Sequence, residues 1–446
     1  MIRKLCLGAL LLLLTACGGG GGGSSSSTTA STSATTTTTT TPVVPPALTN
    51  FATLTVDAGP AVLQTGANAY ISDNVAFTTV TLCAPGSVTN CQTIDHIQVD
   101  TGSVGLRIVQ SVLTPALLAA MPAQTDPSAN PVGECYGFVD GYVFGSVRSA
   151  DFQIGGEKVA GMPLQVIGDT GVYTTVPSTC SSGGGTQIST VTDLGANGVL
   201  GIGVTTTDCA TYCSTTGGYG AAIYYDCPST GCSSLVARSN ATTAPFQQLP
   251  NPVAAMSVDN NGTIMTLPAA PSGGEASMTG TLYFGIGTQT NNALSTSATV
   301  LLTSLSSSRI GPGLLTALYN TQTLPDSFID SGSNLYYFVD SSIALCTTKG
   351  FTGYYCPATP QTLTPTLQGT NGVTASAAFT LDNAQTQFVN NNTVVPGVGA
   401  NPTALSLTNA YPTSFDFGLP FFYGRSIYTA LEGRTAGTSV GPYIAY

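Results

Sequence analysis

Two short stretches of this 446-residue chain say nearly the same thing, and they constrain its fold more than any other feature. In the first half, Ile97-Gln98-Val99-Asp100-Thr101-Gly102-Ser103 runs into an apolar stretch and then a short helical signal. In the second half, Ser327-Phe328-Ile329-Asp330-Ser331-Gly332-Ser333 is followed by Leu335-Tyr336-Tyr337-Phe338-Val339 and another short helical signal. Each half then reaches an apolar-Gly turn. Gly201, within Gly198-Val199-Leu200-Gly201-Ile202-Gly203, stands 101 residues after Asp100; Gly418, within Asp416-Phe417-Gly418-Leu419-Pro420, stands 88 residues after Asp330. The shared order and comparable spacing predict two related lobes, residues 47–248 and 249–446.

Each part of the repeat has a physical job. A strand that runs into Asp-Thr/Ser-Gly ends in a tight turn, which Gly102 and Gly332 permit by tolerating positive φ. The hydroxyls of Thr101 and Ser331 can bond the backbone of the opposite loop and lock the two loops face to face. Those of Ser103 and Ser333 can bond their own aspartates, which lowers carboxyl pKa values. Two such loops set Asp100 and Asp330 side by side in a shared cleft, where two carboxyls cannot both ionise comfortably and so share a proton. One then acts as base toward a bound water while the other polarises a scissile carbonyl. That chemistry needs no metal, no cofactor and no serine nucleophile. It suits a chain whose single histidine, His96, rules out multi-His metal sites and, on a strand before Asp100, reads as structural.

Around these loops, short β-prone runs alternate with Gly, Pro, Asn and Asp turns. Residues 76–82, 94–99, 104–109 and 164–167 read as strands. Thr114-Pro115 can cap and open a short helix through Leu117, Leu118 and Met121, and Asp340 can cap another toward Cys346. The expected class is all-β with few short helices. Ten Lys+Arg against 21 Asp+Glu leave too few cations to neutralise phosphates, so nucleic acid is not an expected partner.

The chain begins as an exported protein. Arg3 and Lys4 precede the apolar run Leu5–Leu14, too short to span a bilayer, and Leu14-Thr15-Ala16-Cys17 follows. This resembles the bacterial lipobox, which implies a signal peptide over residues 1–16 and lipidation of Cys17. Residues 17–46 form a tether rich in Gly, Ser, Thr and Pro that cannot bury an apolar face. As a coil its reach is roughly 30 Å. Gly18 rather than Asp after the lipidated cysteine implies the outer membrane of a bacterial envelope. With Cys6 removed and Cys17 lipidated, ten of the 12 cysteines remain, an even number that favours disulfides in an oxidising compartment. Closeness suggests Cys83–Cys91 and Cys346–Cys356, and elimination leaves Cys135–Cys180. Cys209, Cys213, Cys227 and Cys232 could pair nested or in sequence; their spacing would also hold zinc, which an oxidising compartment disfavours.

The residues quoted for the repeat resemble those of pepsin-like aspartic peptidases, whose two lobes each supply one Asp-Thr/Ser-Gly loop. The likeness extends to Gly280-Thr281-Leu282-Tyr283-Phe284-Gly285, which looks like the strand opening the second lobe, and to the segment Phe421–Thr429. More narrowly, the lipoprotein start, the Gly-Leu-Pro-Phe-Phe segment and the Gly-Pro-Tyr-Ile-Ala-Tyr end are similar to a bacterial family called domain of unknown function 3443. The resemblance implies a bilobal pepsin-like fold with a central cleft, a peptide or protein substrate, and a monomer. It also implies a hairpin flap over the cleft carrying a Tyr. Residues 135–145 fit that hairpin, with Asp140-Gly141 as its turn; Tyr136 is the favoured flap residue, with Phe138 and Tyr142 as alternatives. Arg107 stands where the family has a Trp that bonds the flap Tyr, so the latch must differ. Asp416 breaks the apolar pair before Gly418. The expected activity is aspartic endopeptidase; the alternative is an inactive pepsin-like cleft that binds peptides or other ligands. A serine hydrolase is disfavoured by the absence of Gly-x-Ser-x-Gly.

Overall fold

A computed structural model of the chain describes residues 49–66, 69–182, 185–209, 222–232, 234–236, 248–305, 312–405 and 413–446. The signal peptide, Cys17, the tether and Cys213 lie outside the described residues. Strands dominate, and the longest helix, Pro115–Ala120, has six residues. It starts as expected: the Thr114 side chain accepts from the Leu117 amide at 3.3 Å and Pro115 occupies its first turn. No helix among the described residues is long and apolar enough to cross a membrane.

Val104–Val109 forms as expected, and the other three expected strands form with longer ends: Ala76–Cys83, Cys91–Asp100 and Glu157–Ile167. No helix follows Asp340. Its carboxylate accepts from the Ser342 amide (2.8 Å) and hydroxyl (2.6 Å), and also from the Tyr319 hydroxyl (2.7 Å) and Asn320 (2.9 Å). Such local side-chain bonds offer the backbone an alternative to a helical turn.

One sheet of sixteen strands passes through both halves of the chain. The crossing is made by Phe51–Val56, which pairs antiparallel with both Ala76–Cys83 and Met278–Phe284; the latter leads on to Gly262–Thr266 and Ser426–Ala430. A second sheet of seven strands lies wholly in the second half.

The repeat seen in the sequence is a repeat of topology. Cys91–Asp100 pairs parallel with Gly198–Ile202, which pairs antiparallel with Val104–Val109, which pairs parallel with Glu157–Ile167. In the second half, Gln322–Ile329 pairs parallel with Asp416–Phe417, which pairs antiparallel with Tyr336–Tyr337, which pairs parallel with Gly399–Ala400. Three pairings of the same sense in the same order place each aspartate loop at the end of a strand braced by its apolar-Gly strand. Beneath the second loop, Phe338 stacks on Phe415 (4.4 Å) and Phe415 on Phe417 (4.3 Å). The two-residue period of a strand that buries Phe415 and Phe417 turns Asp416 the other way, toward the cleft.

Four disulfides close between described residues: Cys83–Cys91, Cys135–Cys180, Cys227–Cys232 and Cys346–Cys356. Cys227–Cys232 rules out nested pairing in the cluster, and Cys209 is itself disulfide-bonded.

Candidate active site

The two aspartate loops meet tip to tip. The Thr101 amide donates to Ser331 Oγ at 3.1 Å, and the Ser331 amide donates back to Thr101 Oγ1 at 3.0 Å. Ser331 Oγ donates in turn to the Val99 carbonyl at 2.8 Å. These are the loop-to-loop bonds expected of those two hydroxyls, and they are buried, where hydrogen bonds position groups firmly.

Gly102 and Gly332 serve differently from expectation. Neither has positive φ. A Cβ on Gly102 would stand 2.6 Å from Asp330 Cγ, and one on Gly332 would stand 2.5 Å from Asp100 Oδ1. Glycine is required there because each loop lies against the opposite carboxyl, and a methyl group would occupy that space.

Asp100 is buried. Its Oδ1 accepts from the amides of Gly102 (2.8 Å) and Ser103 (3.1 Å), and its Oδ2 accepts from the Ser103 hydroxyl (2.5 Å). Asp330 accepts from the Gly332 amide at 2.7 Å, and its carboxyl faces that of Asp100: a Cβ on Gly332 would stand 2.5 Å from Asp100 Oδ1 and 3.1 Å from Asp330 Oδ1. Desolvation pushes the Asp330 carboxyl well above the usual carboxylate range, and the neighbouring charges of Asp100 and Asp416 push it further. Ser333 bonds its own aspartate, as expected, and a second carboxyl as well. Ser333 Oγ lies 3.0 Å from Asp330 Oδ2 but only 2.6 Å from Asp416 Oδ2, and its effect is to lower Asp416. Burial nonetheless leaves Asp416 well above the ordinary range.

The carboxyls open into a cleft of about 210 Å³ whose walls include Gln98, Phe138, Val199, Tyr337 and Leu405. Its charged lining is all acidic: Asp100, Asp140, Asp193, Asp330 and Asp416. The hairpin built from Val132–Gly137 and Gly141–Ile154 reaches over it. The turn spans Phe138–Gly141, with the Phe138 amide donating to the Gly141 carbonyl at 2.7 Å, so Val139-Asp140 rather than Asp140-Gly141 occupy its centre. Gly141 already belongs to the strand, where its missing Cβ leaves room for the Thr186 carbonyl.

The three flap candidates separate in space. Phe138 lines the cleft. Tyr136 is buried beneath it, its ring 5.0 Å from that of Phe138 and 3.7 Å from the Arg107 guanidinium. Tyr142 is half-buried beside the disulfide-bonded cluster around Cys135 and Cys180. Arg107 is wholly buried, donates to Glu134 Oε1 at 2.6 Å and lies 3.6 Å from Asp208 Oδ2. A cation–π contact and an ion pair thus root the hairpin where a Trp–Tyr bond would otherwise do so. Burial and the Glu134 charge push Asp208 well above the carboxylate range. Glu134 and Asp208 went unnoticed in the sequence; a glutamate between apolar neighbours in a strand was the available signal. His96 stands at a β-bulge with φ of 48°, its Nε2 3.3 Å from Asp57 and its Nδ1 3.3 Å from Asp95.

Residues 46–446 match the family model described as Protein of unknown function (DUF3443). The chain belongs to this family. Among solved structures, this DUF3443 chain is similar to the crystal structure of aspartic proteinase from Irpex lacteus, at 13% identity and a TM-score of 0.49, over 89% of this chain and 96% of that one. No curated protein matches it.

Proposed function

We propose that the protein is an aspartic endopeptidase that hydrolyses peptide bonds with a water activated by Asp100 and Asp330. The observation that carries this reading is the placing of the two carboxyls face to face between loops that bond tip to tip. A raised Asp330 and a hydrogen-bonded Asp100 give the pair one proton to share. The ionised member takes a proton from water, and the protonated member donates to the substrate carbonyl. Thr101, Gly102, Ser103, Ser331, Gly332 and Ser333 support the pair, and the hairpin tip at Phe138 covers the substrate. The lipobox-like start and the Gly/Ser/Thr/Pro stretch support a lipid anchor at Cys17, with the lobes tethered to a bacterial envelope membrane, the outer one by Gly18.

The test is digestion of a peptide library from acidic to neutral pH, with and without pepstatin, by the parent protein and its Asp100→Asn and Asp330→Asn variants. Either variant is expected to lose activity by on the order of 10⁴, and the double variant little more, because groups acting as a unit are non-additive. An Asp100→Asn protein cleaving at the parental rate refutes the dyad.

A second reading is a cleft that binds peptides without cleaving them. It is favoured by the hairpin, whose Tyr136 is held against Arg107 while Phe138 meets the cleft. A folded parent protein inert to the whole library at every pH would select it.

A further inference from the structure

Asp416 is the charged residue that breaks the symmetry of the site. In the first half, Val199 pairs with Gln98, one position before Val99; in the second, Asp416 pairs with Phe328, one position before Ile329. The two sites are equivalent in register, and both side chains line the cleft, yet one is a valine and the other an acid. Asp416 is 7% exposed, and its Oδ1 is buried without a hydrogen-bond partner. A carboxyl in that position costs free energy unless it has work to do.

Its other oxygen shows what that work is. Ser333 Oγ lies 2.6 Å from Asp416 Oδ2 and 3.0 Å from Asp330 Oδ2. A serine hydroxyl has one hydrogen, so it can donate to only one of the two; the other contact is a hydrogen bond only if that carboxyl carries a proton. Asp330 also faces Asp100 across the loop tips, so a chain of contacts runs from Asp416 through Ser333 and Asp330 to Asp100. The groups facing Asp416 are Ser333, Phe328 and Asp330 from its parallel neighbour and the loop after it, Tyr337 from its antiparallel neighbour, and Asp100 from the other half. None of these is a cation, and among them the Ser333 hydroxyl is the group that favours the ionised form of Asp416.

We propose that Asp416 is a positioning residue of the dyad, joined to Asp330 through Ser333 in a unit of three carboxyls that share protons. When Asp416 loses its proton, the Ser333 hydroxyl turns to the shorter contact, and Asp330 loses a donor and gains a like charge. Both effects strengthen the hold of the dyad on its own proton. The upper limit of the dyad's working range therefore moves toward neutral pH. The inference rests on the endopeptidase reading for its consequence in catalysis, but the proton sharing itself needs no substrate.

The experiment is a carboxyl titration of the full chain, carbon-13-labelled at the aspartate carboxyls and followed by NMR, with signals assigned by Asp→Asn substitution. In the parent protein, Asp330 and Asp416 should change shift over a common pH range, each reporting the other's step. In Asp416→Asn, the last deprotonation of Asp330 should fall by roughly one pH unit, tenfold in proton affinity. Asp416→Val, which copies the first-half residue, should act the same way and serves if Asn disturbs folding. If the library is cleaved, the upper limb of kcat should fall by the same amount with KM little changed. Independent single steps for Asp330 and Asp416 in the parent, or an Asp330 titration unmoved in both variants, overturn the proposal. A protein that titrates as a unit but cleaves nothing leaves it standing and refutes the endopeptidase reading instead.

Discussion

Replacing Arg107 with Met should destabilise the protein by about 3–5 kcal/mol at neutral pH, the cost of breaking a buried ion pair from one side. The magnitude follows from what remains behind. Arg107 and Glu134 are both fully buried, 2.6 Å apart, and Asp208, at 3.6 Å, is a second acid rather than a substitute cation. Met refills much of the aliphatic volume of the side chain, so the loss reports the stranded Glu134 charge and the missing contact with the Tyr136 ring. Deprived of its partner, Glu134 has a folded-state pKa above its unfolded value of about 4.3. Its penalty is then absent below that value and grows as pH rises toward the folded one. The difference between variant and parent should accordingly shrink to roughly 1–2 kcal/mol near pH 4, and adding Glu134→Gln should restore most of the loss at pH 7. Urea unfolding followed by tyrosine fluorescence measures this cleanly, because the chain contains no Trp. A loss under about 1 kcal/mol at pH 7, a loss as large at pH 4, or no rescue by Glu134→Gln would refute the assignment of Arg107 as the root of the hairpin.

Gly332→Ala places a methyl 2.5 Å from Asp100 Oδ1 and should abolish cleavage at a cost of about 1–3 kcal/mol, whereas Gly273→Ala, with open space and ordinary φ, should be near neutral on both readouts. His96 is held above, and Asp57 below, its usual pKa chiefly by their mutual hydrogen bond. The histidine's contribution is complete below about pH 6.5 and fades as pH rises through its folded value, while that of Asp57 is complete above about pH 4 and fades as pH falls. His96→Gln should therefore cost most between those limits, under about 1 kcal/mol for so exposed a pair, and almost nothing in mildly alkaline buffer. A cost that persists unchanged there would show that the ion pair is not its source. Removing Cys135–Cys180 by paired Ala substitution opens a loop of 45 residues and should lower urea stability by about 4 kcal/mol, with the hairpin becoming the first site of limited proteolysis.

How much of this was legible in the chain follows from the range over which each signal acts. The alternation that marks Val104–Val109 as a strand, the Thr114-Pro115 start of the helix and the pairings Cys83–Cys91 and Cys346–Cys356 are all set within a few residues. The aspartate loops were legible for another reason: they occur twice, and a repeat of motif implies a repeat of packing. The β-prone runs between turn residues marked the all-β class, and the repeat marked the pair Asp100 and Asp330 and the bonds between Thr101 and Ser331. The tertiary structure decided what depends on register between strands far apart in sequence. Arg107 meets Glu134, 27 residues on, and Asp208 from beyond the apolar-Gly turn, through pairings that no local pattern encodes. Tyr136 and Phe138, two residues apart, would share one face of a continuous strand, so which of them lines the cleft was settled by where the strand stops: Tyr136 pairs with Val143 within it, whereas Phe138 lies beyond the last pair, in the turn. Asp416 stood out in the sequence as a break in an apolar pair, but its bond to Ser333, 83 residues away, exists because Asp416–Phe417 lies between Gln322–Ile329 and Tyr336–Tyr337. Local chemistry wrote the carboxyls into the chain; the crossing of strands from distant segments determined which of them stand together.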